Sequence, residues 1–172
     1  MTKNTRFTSN GFRLAVLALA IAGSSNANAA SVSADAKSTV VAPIQIAKSA
    51  DLAFGSFAAG ATGGTVTVTP GGARSKVGDV TLMTGAGAAA QFNVSGQAGL
   101  TYSIVLAATP LNREGGGGTM TLTPVSDLTS GLLAGTGAAG IQSFFVGGDL
   151  TVGANQAPGE YLGSVTATVE YN

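Results

Sequence analysis

The side chains that most enzymes use for nucleophilic or metal chemistry are missing from this chain. Its 172 residues contain no His and no Cys. Ser-His-Asp triads, Cys-His pairs and the usual zinc sites need one or the other, so those chemistries are excluded. The remaining candidates are carboxylates, which in pairs can hydrolyse a glycosidic bond. Glu114, Asp127, Asp149 and Glu160 stand apart in sequence, near turns or on polar faces, where a solvated carboxylate is far the commoner arrangement. No loop around Asp127 or Asp149 repeats oxygen ligands at the spacing calcium needs. The run from Gly85 to Ala90 resembles part of a dinucleotide turn, but it lacks the last Gly and any βαβ setting, so it reads as a turn. Arg113-Glu114 reads as a surface pair. The expectation is a non-enzyme without cofactor or metal site.

What the chain offers instead is backbone pairing. From Gly159 to Asn172 the odd positions are Gly159, Tyr161, Gly163, Val165, Ala167, Val169 and Tyr171, while the even ones are mostly hydroxylic or charged. Strand side chains alternate between faces, so this predicts a half-buried strand of about ten residues. A closing strand of any β-sandwich has this pattern. So does a terminal strand that another chain recognises.

The elements that position it follow in order. Lys3, Arg6 and Arg13 precede a short apolar run, and Ala27-Asn28-Ala29 fits a small-x-small cleavage site. Residues 1–29 thus read as a signal peptide. The run is about half the length of a membrane span, and no second one follows. An exported protein is expected, without a membrane span in its mature part. Residues 30–172 hold five basic residues (Lys37, Lys48, Arg74, Lys76, Arg113) against eight acidic ones, a net charge of −3. Nucleic-acid binding needs clustered Lys and Arg, so it is not expected. With no disulfide available, stability rests on packing and strand pairing.

Gly, Ala, Thr, Ser and Val dominate, and short alternating runs are separated by Gly-rich turns. That argues for an all-β sandwich or barrel. From Ala30 to Ile46 apolar residues hold the even positions almost without a slip. Sixteen residues at about 3.3 Å each exceed the width of a domain this size. The run is therefore split into an N-terminal extension, 30–39, and a domain, 40–172, whose first strand is Val40 to Ile46. Pro43 cannot donate to a ladder, which puts that strand at an edge. Val32, Ala34, Ala36 and Val40 would form the apolar face of a detachable strand; a disordered leader is the alternative.

Further strands are expected at Gly64–Thr69, Asp79–Met83, Gln91–Ser95, Thr101–Leu106, Thr119–Thr123, Gln142–Val146 and Asp149–Val152. Ala58–Gly63 and Pro70–Gly72 read as turns, and Arg74–Gly78 as a polar connection. Phe144 and Phe145 should point to opposite faces. About eight to ten strands suit a two-sheet antiparallel sandwich. Gly63–Val68 and Gly147–Val152 echo one another, as two similar hairpins in facing sheets would.

Leu52 with Phe54-Gly55, Gly64–Val68, Val146-Gly147-Gly148, Gln156 with Gly159 and Tyr161, and the closing Val169-x-Tyr171 resemble the bacterial secreted DUF4402 family over essentially all of the mature chain. That family in turn resembles the immunoglobulin-like pilins of chaperone–usher fimbriae. The resemblance implies an immunoglobulin-like sandwich lacking one strand. The gap would be filled by the N-terminal extension of a like subunit, and a periplasmic chaperone and an usher would be partners. It also implies a C-terminal strand with a Gly (Gly159 or Gly163) and a penultimate Tyr (Tyr171) recognised by the chaperone. The destination would be the cell surface, by way of the periplasm. Many pilins carry a disulfide that this chain lacks.

Three readings follow from the sequence: a fibre subunit assembled by donor-strand complementation, a self-contained secreted or surface-attached binding domain, and a carboxylate glycosidase. A small outer-membrane barrel ranks below them. The chain has no Trp and three Tyr, too few for aromatic girdles, and many of its strands are too short to cross.

Overall fold

The computed structural model describes residues 29–172. The signal peptide expected over residues 1–29 lies, but for Ala29, outside them. The described residues belong to two units, one ending at Ser38 and one running from Thr39 to Asn172. Residues 29–38 are exposed and carry neither helix nor strand.

The second unit is all β, with no helix among the described residues. Its strands are β1 (Gln45–Ala50), β2 (Phe57–Val68), β3 (Arg74–Leu82), β4 (Ala90–Gly96), β5 (Thr101–Ala108) and β6 (Leu111–Arg113). They continue with β7 (Thr119–Ser126), β8 (Ser130–Leu132), β9 (Gly140–Val152), β10 (Tyr161–Leu162) and β11 (Val165–Tyr171). They form two antiparallel sheets. The larger has eight strands in the path β1-β4-β9-β7-β6-β10, with β2 on β9 and β3 on β2. The smaller has three, in the order β11-β5-β8.

β9 organises both sheets' interior. Phe144, Val146, Leu150 and Val152 are all buried, two residues apart but for the glycine step between them. Its first half pairs with β4 and its second half with β2 on one flank and β7 on the other. Phe144 and Val146 join Phe92, Val94, Tyr102 and Leu133 in one buried cluster. Leu150 and Val152 join Val66, Val68, Val80, Met120 and Leu122 in the other. Phe92 and Phe144, paired across the strands, stack with ring centroids 5.3 Å apart. Phe145 is on the opposite face and 37% exposed.

Two strands were expected around Gly147-Gly148, yet one continuous strand runs through. The glycines are there for close approach. A side chain at Gly147 would collide with the Val68 carbonyl and with Thr69 and Pro70. Similarly, Ala58–Gly63 is not a turn but part of β2. β3 pairs with its first two residues, Ala58 and Ala59, and the register shifts between Ala59 and Gly64. Gly63, at φ 71°, absorbs that irregularity as a β-bulge does. Arg74–Gly78 is not a connection either, because it pairs with Gly64–Val68. The echoing segments Gly63–Val68 and Gly147–Val152 do not lie in facing sheets. They are hydrogen-bonded neighbours, with Gly64 opposite Val152 and Val68 opposite Gly148.

The first strand starts later than expected, at Gln45 rather than Val40. Pro43 has no amide hydrogen to give a ladder, and the residues ahead of Gln45 have no strand partner. β1 pairs only with β4, so it is an edge strand. The long C-terminal strand is broken at Gly163-Ser164. β10 pairs with β6 in the large sheet and β11 with β5 in the small one. The chain crosses between sheets there, beside the equivalent crossing at Thr109-Pro110. Thr109 and Ser164 secure the two crossings through reciprocal bonds of 2.9 Å.

Tyr102 is fully buried, and burial, reinforced by the nearby charge of Asp127, raises its hydroxyl above the ordinary tyrosine value. Its proton is held more tightly in the folded than in the unfolded chain. Its contribution to stability is therefore complete below about pH 10 and is lost as pH rises from there through the raised folded value. In urea titrations, Tyr102→Phe should flatten the alkaline fall in unfolding midpoint. Gly147→Ala should cost about 1–3 kcal/mol by the same measurement, from overpacking.

Candidate functional site

Five strands, β1, β3, β8, β10 and β11, have a partner on one side only, and they differ in length and side chains. β3 pairs only with β2. Its residues Arg74 and Lys76 pair with the inward-facing Val68 and Val66, so two charges sit on the apolar side of that edge. Inward-pointing charge is a standard guard against adding another strand. The Arg74 guanidinium also donates to the Gly85 carbonyl at 2.7 Å and to the Ser56 carbonyl, tying two loops to the strand. β10 is two residues long and β8 three.

β11 carries no such guard, and β1 carries a single charge on that side, Lys48, opposite the buried Phe92. β11 is seven residues long and pairs with β5 alone. Its inward side chains are Val165, Ala167, Val169 and Tyr171, all half-buried, while Thr166, Thr168 and Glu170 point out. From the first strand and its approach, Ile44 and Ile46 are half-buried and pack on the same cluster as these four. Among the described residues no backbone hydrogen bond joins β1 to β11.

The two strands run in opposite directions. At one end the Tyr171 hydroxyl donates to the Ala42 carbonyl at 2.9 Å, just ahead of β1. At the other end Ala50 and Asp51 line a cavity of about 420 Å³ together with Ser164 and Val165. Lys48 also lines it and pairs with Asp51. A second cavity of about 840 Å³ lies between residues 52–59 and 156–161. The two share Leu52, Phe54, Leu111 and Tyr161, so the open seam continues into a trough. Its floor is apolar, including the buried Phe54, Met120 and Leu150.

The structure thus brings Tyr161, Val165, Ala167, Val169 and Tyr171 to one seam. Gly163 is at the strand break, packed against Leu111 and Pro110. Gly159, at φ 152°, packs on Arg113, whose Nε donates to the Pro158 carbonyl at 2.8 Å. Tyr161 donates to the Ala157 carbonyl at 2.7 Å and accepts from Gln156 at 2.8 Å, which shapes the loop closing the trough. Val32, Ala34 and Ala36 are exposed and outside any strand, as is Val40. Sequence reasoning missed Leu111 and the role of Gln97, which the fold alone brings to the seam.

Two of the four carboxylates have structural partners. Asp127 accepts the Phe145 amide at 2.8 Å, and Asp149 accepts the Thr67 hydroxyl at 2.6 Å. Glu160 lines the larger cavity, and Glu114 is exposed. Among the described residues no three His, Cys, Asp or Glu cluster to hold a metal.

An open seam tolerates added bulk where a closed core does not. Ala167→Leu should leave the unfolding free energy from urea titration within about 0.5 kcal/mol of the parent. Val94→Phe, at a fully buried site, should cost about 1–3 kcal/mol. Equal losses from the two would mean the seam is packed shut.

No curated protein and no solved structure matches the chain. The family model described as "Domain of unknown function (DUF4402)" matches residues 44–171, from the approach to β1 to the end of β11. With about three-quarters of its length inside that match, the chain belongs to the DUF4402 family.

Proposed function

We propose that this protein is a pilin-like structural subunit of a bacterial surface fibre. Its body is read as an immunoglobulin-like sandwich short of one strand, and subunits join by donor-strand complementation. The observation that carries the reading is the pair of unpaired edges, β1 and β11, on either side of an apolar seam. The charge guarding β3 sharpens it: that edge is protected, and the β11 edge is not.

The donor would be the N-terminal segment of a like subunit, with Val32, Ala34, Ala36 and Val40 facing inward. A strand inserted between two others needs them about 9.6 Å apart, twice the strand spacing. β1 and β11 approach within 8 Å between Cα atoms, so they must part to admit it. The donor's side chains are small. Each Val contributes about 1.5–3 kcal/mol on burial and each methyl-sized group about 0.8 kcal/mol. Backbone bonds, at roughly 0.5–1.5 kcal/mol net each over six to eight pairs, match or exceed that. The ladder, more than a plug of large side chains, would hold such a fibre together.

In this reading the protein is non-catalytic. It is exported through the periplasm, where a chaperone and an usher would handle it, and ends at the cell surface. Deleting residues 31–37 should leave a folded monomer with an unchanged melting temperature that forms no fibres by electron microscopy. Normal fibres from the deletion would overturn the reading. A parent protein that stays monomeric whatever chaperone is supplied would favour the self-contained binding domain.

A further inference from the structure

The Tyr171 hydroxyl makes two bonds to parts of the chain far from it in sequence. It donates to the Ala42 carbonyl at 2.9 Å and accepts the Gln97 amide at 2.7 Å. Gln97 extends the arrangement. Its side-chain amide donates to the Gly137 carbonyl at 2.8 Å, and its side-chain oxygen accepts the Ala42 amide at 3.5 Å. The ring can approach because residue 96 is glycine: a Cβ there would collide with the Tyr171 hydroxyl. Three segments thus meet at one half-buried phenol: the end of β11, the turn after β4, and the residue from which the chain leads back toward its N-terminal segment.

Ala42 is also stiff for a local reason. Pro43 follows it, fixing its own φ and confining Ala42 to extended conformations. Residue 42 is therefore held by the tyrosine and by the proline. Everything described before it lacks strand pairing, and residues 29–41 are exposed.

We infer that Tyr171 is a positioning residue that fixes Ala42, the point at which the chain enters the domain's packed body. It does so at the end of the seam opposite the cavity, so the seam opens from the cavity end while this end stays bolted. The consequence for assembly rests on the fibre reading. If Val40 is the last residue lodged in a neighbour, only Val41 separates it from the anchored Ala42. Two extended residues span about 7 Å. Adjacent subunits would be closely coupled and the fibre stiff, not a flexible string.

The monomer tests the anchor without any fibre. In Tyr171→Phe, which keeps the ring, amide exchange at Gln97 should accelerate roughly tenfold, and backbone order at Val41 and Ala42 should fall in relaxation measurements. Gly96→Ala, whose Cβ would displace the hydroxyl while Tyr171 itself is kept, should produce the same pattern. Exchange and order unchanged in both variants would overturn the inference. In fibres, inserting Gly-Ser-Gly-Ser between Val41 and Ala42 should lengthen the subunit repeat and increase bending, with assembly retained. Fibres of unchanged repeat and stiffness would overturn the close coupling. Absence of fibres from the parent protein would refute the fibre reading alone and leave the exchange result to decide the anchor.

Discussion

The hydrogen bonding of β9 holds the large sheet together. Strands β4, β2 and β7 all pair with it, and both hydrophobic clusters draw their central residues from its inward face. In a chain without disulfides, this pairing replaces covalent staples. It also explains the glycines at 147 and 148. A strand flanked on both sides and overlain by the turn after β2 has no room there for a side chain. The small residues that make the composition look loose are, at these positions, what lets backbones come close enough to pair.

Once β9 satisfies the middle of the large sheet, the unsatisfied groups collect at the borders. A border strand exposes a row of amides and carbonyls and can recruit another chain. The domain treats its borders unequally. β3 carries Arg74 and Lys76 toward the apolar side, and β8 and β10 are very short. β11 is long, uncharged on its inward face and paired on one flank only. Its half-buried side chains belong to the same cluster as the fully buried Phe144 and Val94. The core is thus continuous with the seam, and a strand laid there would finish a surface already begun. Tyr171 sets one limit of that surface by tying β11 to the approach to β1.

Local pattern alone was enough for the class and for the inward faces of several strands. Phe92 with Val94, Tyr102 with Ile104 and Leu106, and Tyr161 through Tyr171 at alternate positions all face as their period-2 spacing requires, because alternation follows from strand geometry whatever the partner. Pro43 falls ahead of β1, so the edge position of that strand is seen in its pairing with β4 alone. Segments rich in Gly and Ala were illegible. Ala58–Gly63 and Gly147-Gly148 have turn composition, and only the neighbouring strands reveal that they are carried within strands. The polar run at Arg74–Gly78 reads as a connection because a guarded edge strand and a surface loop share the same residue types.

The remaining decisions were tertiary. Whether the alternating run from Gly159 is one strand or two depends on its crossing from one sheet to the other at Gly163-Ser164, opposite Thr109. Whether its inward face is buried or half-open depends on which strand lies across from it. Sequence settles which side of a strand is apolar, because that is a property of successive residues. It does not settle what covers that side, because cover is supplied by residues far away along the chain. The seam between β1 and β11, and the tyrosine that bolts one end of it, exist only once residues 42, 97 and 171 have been folded to one place.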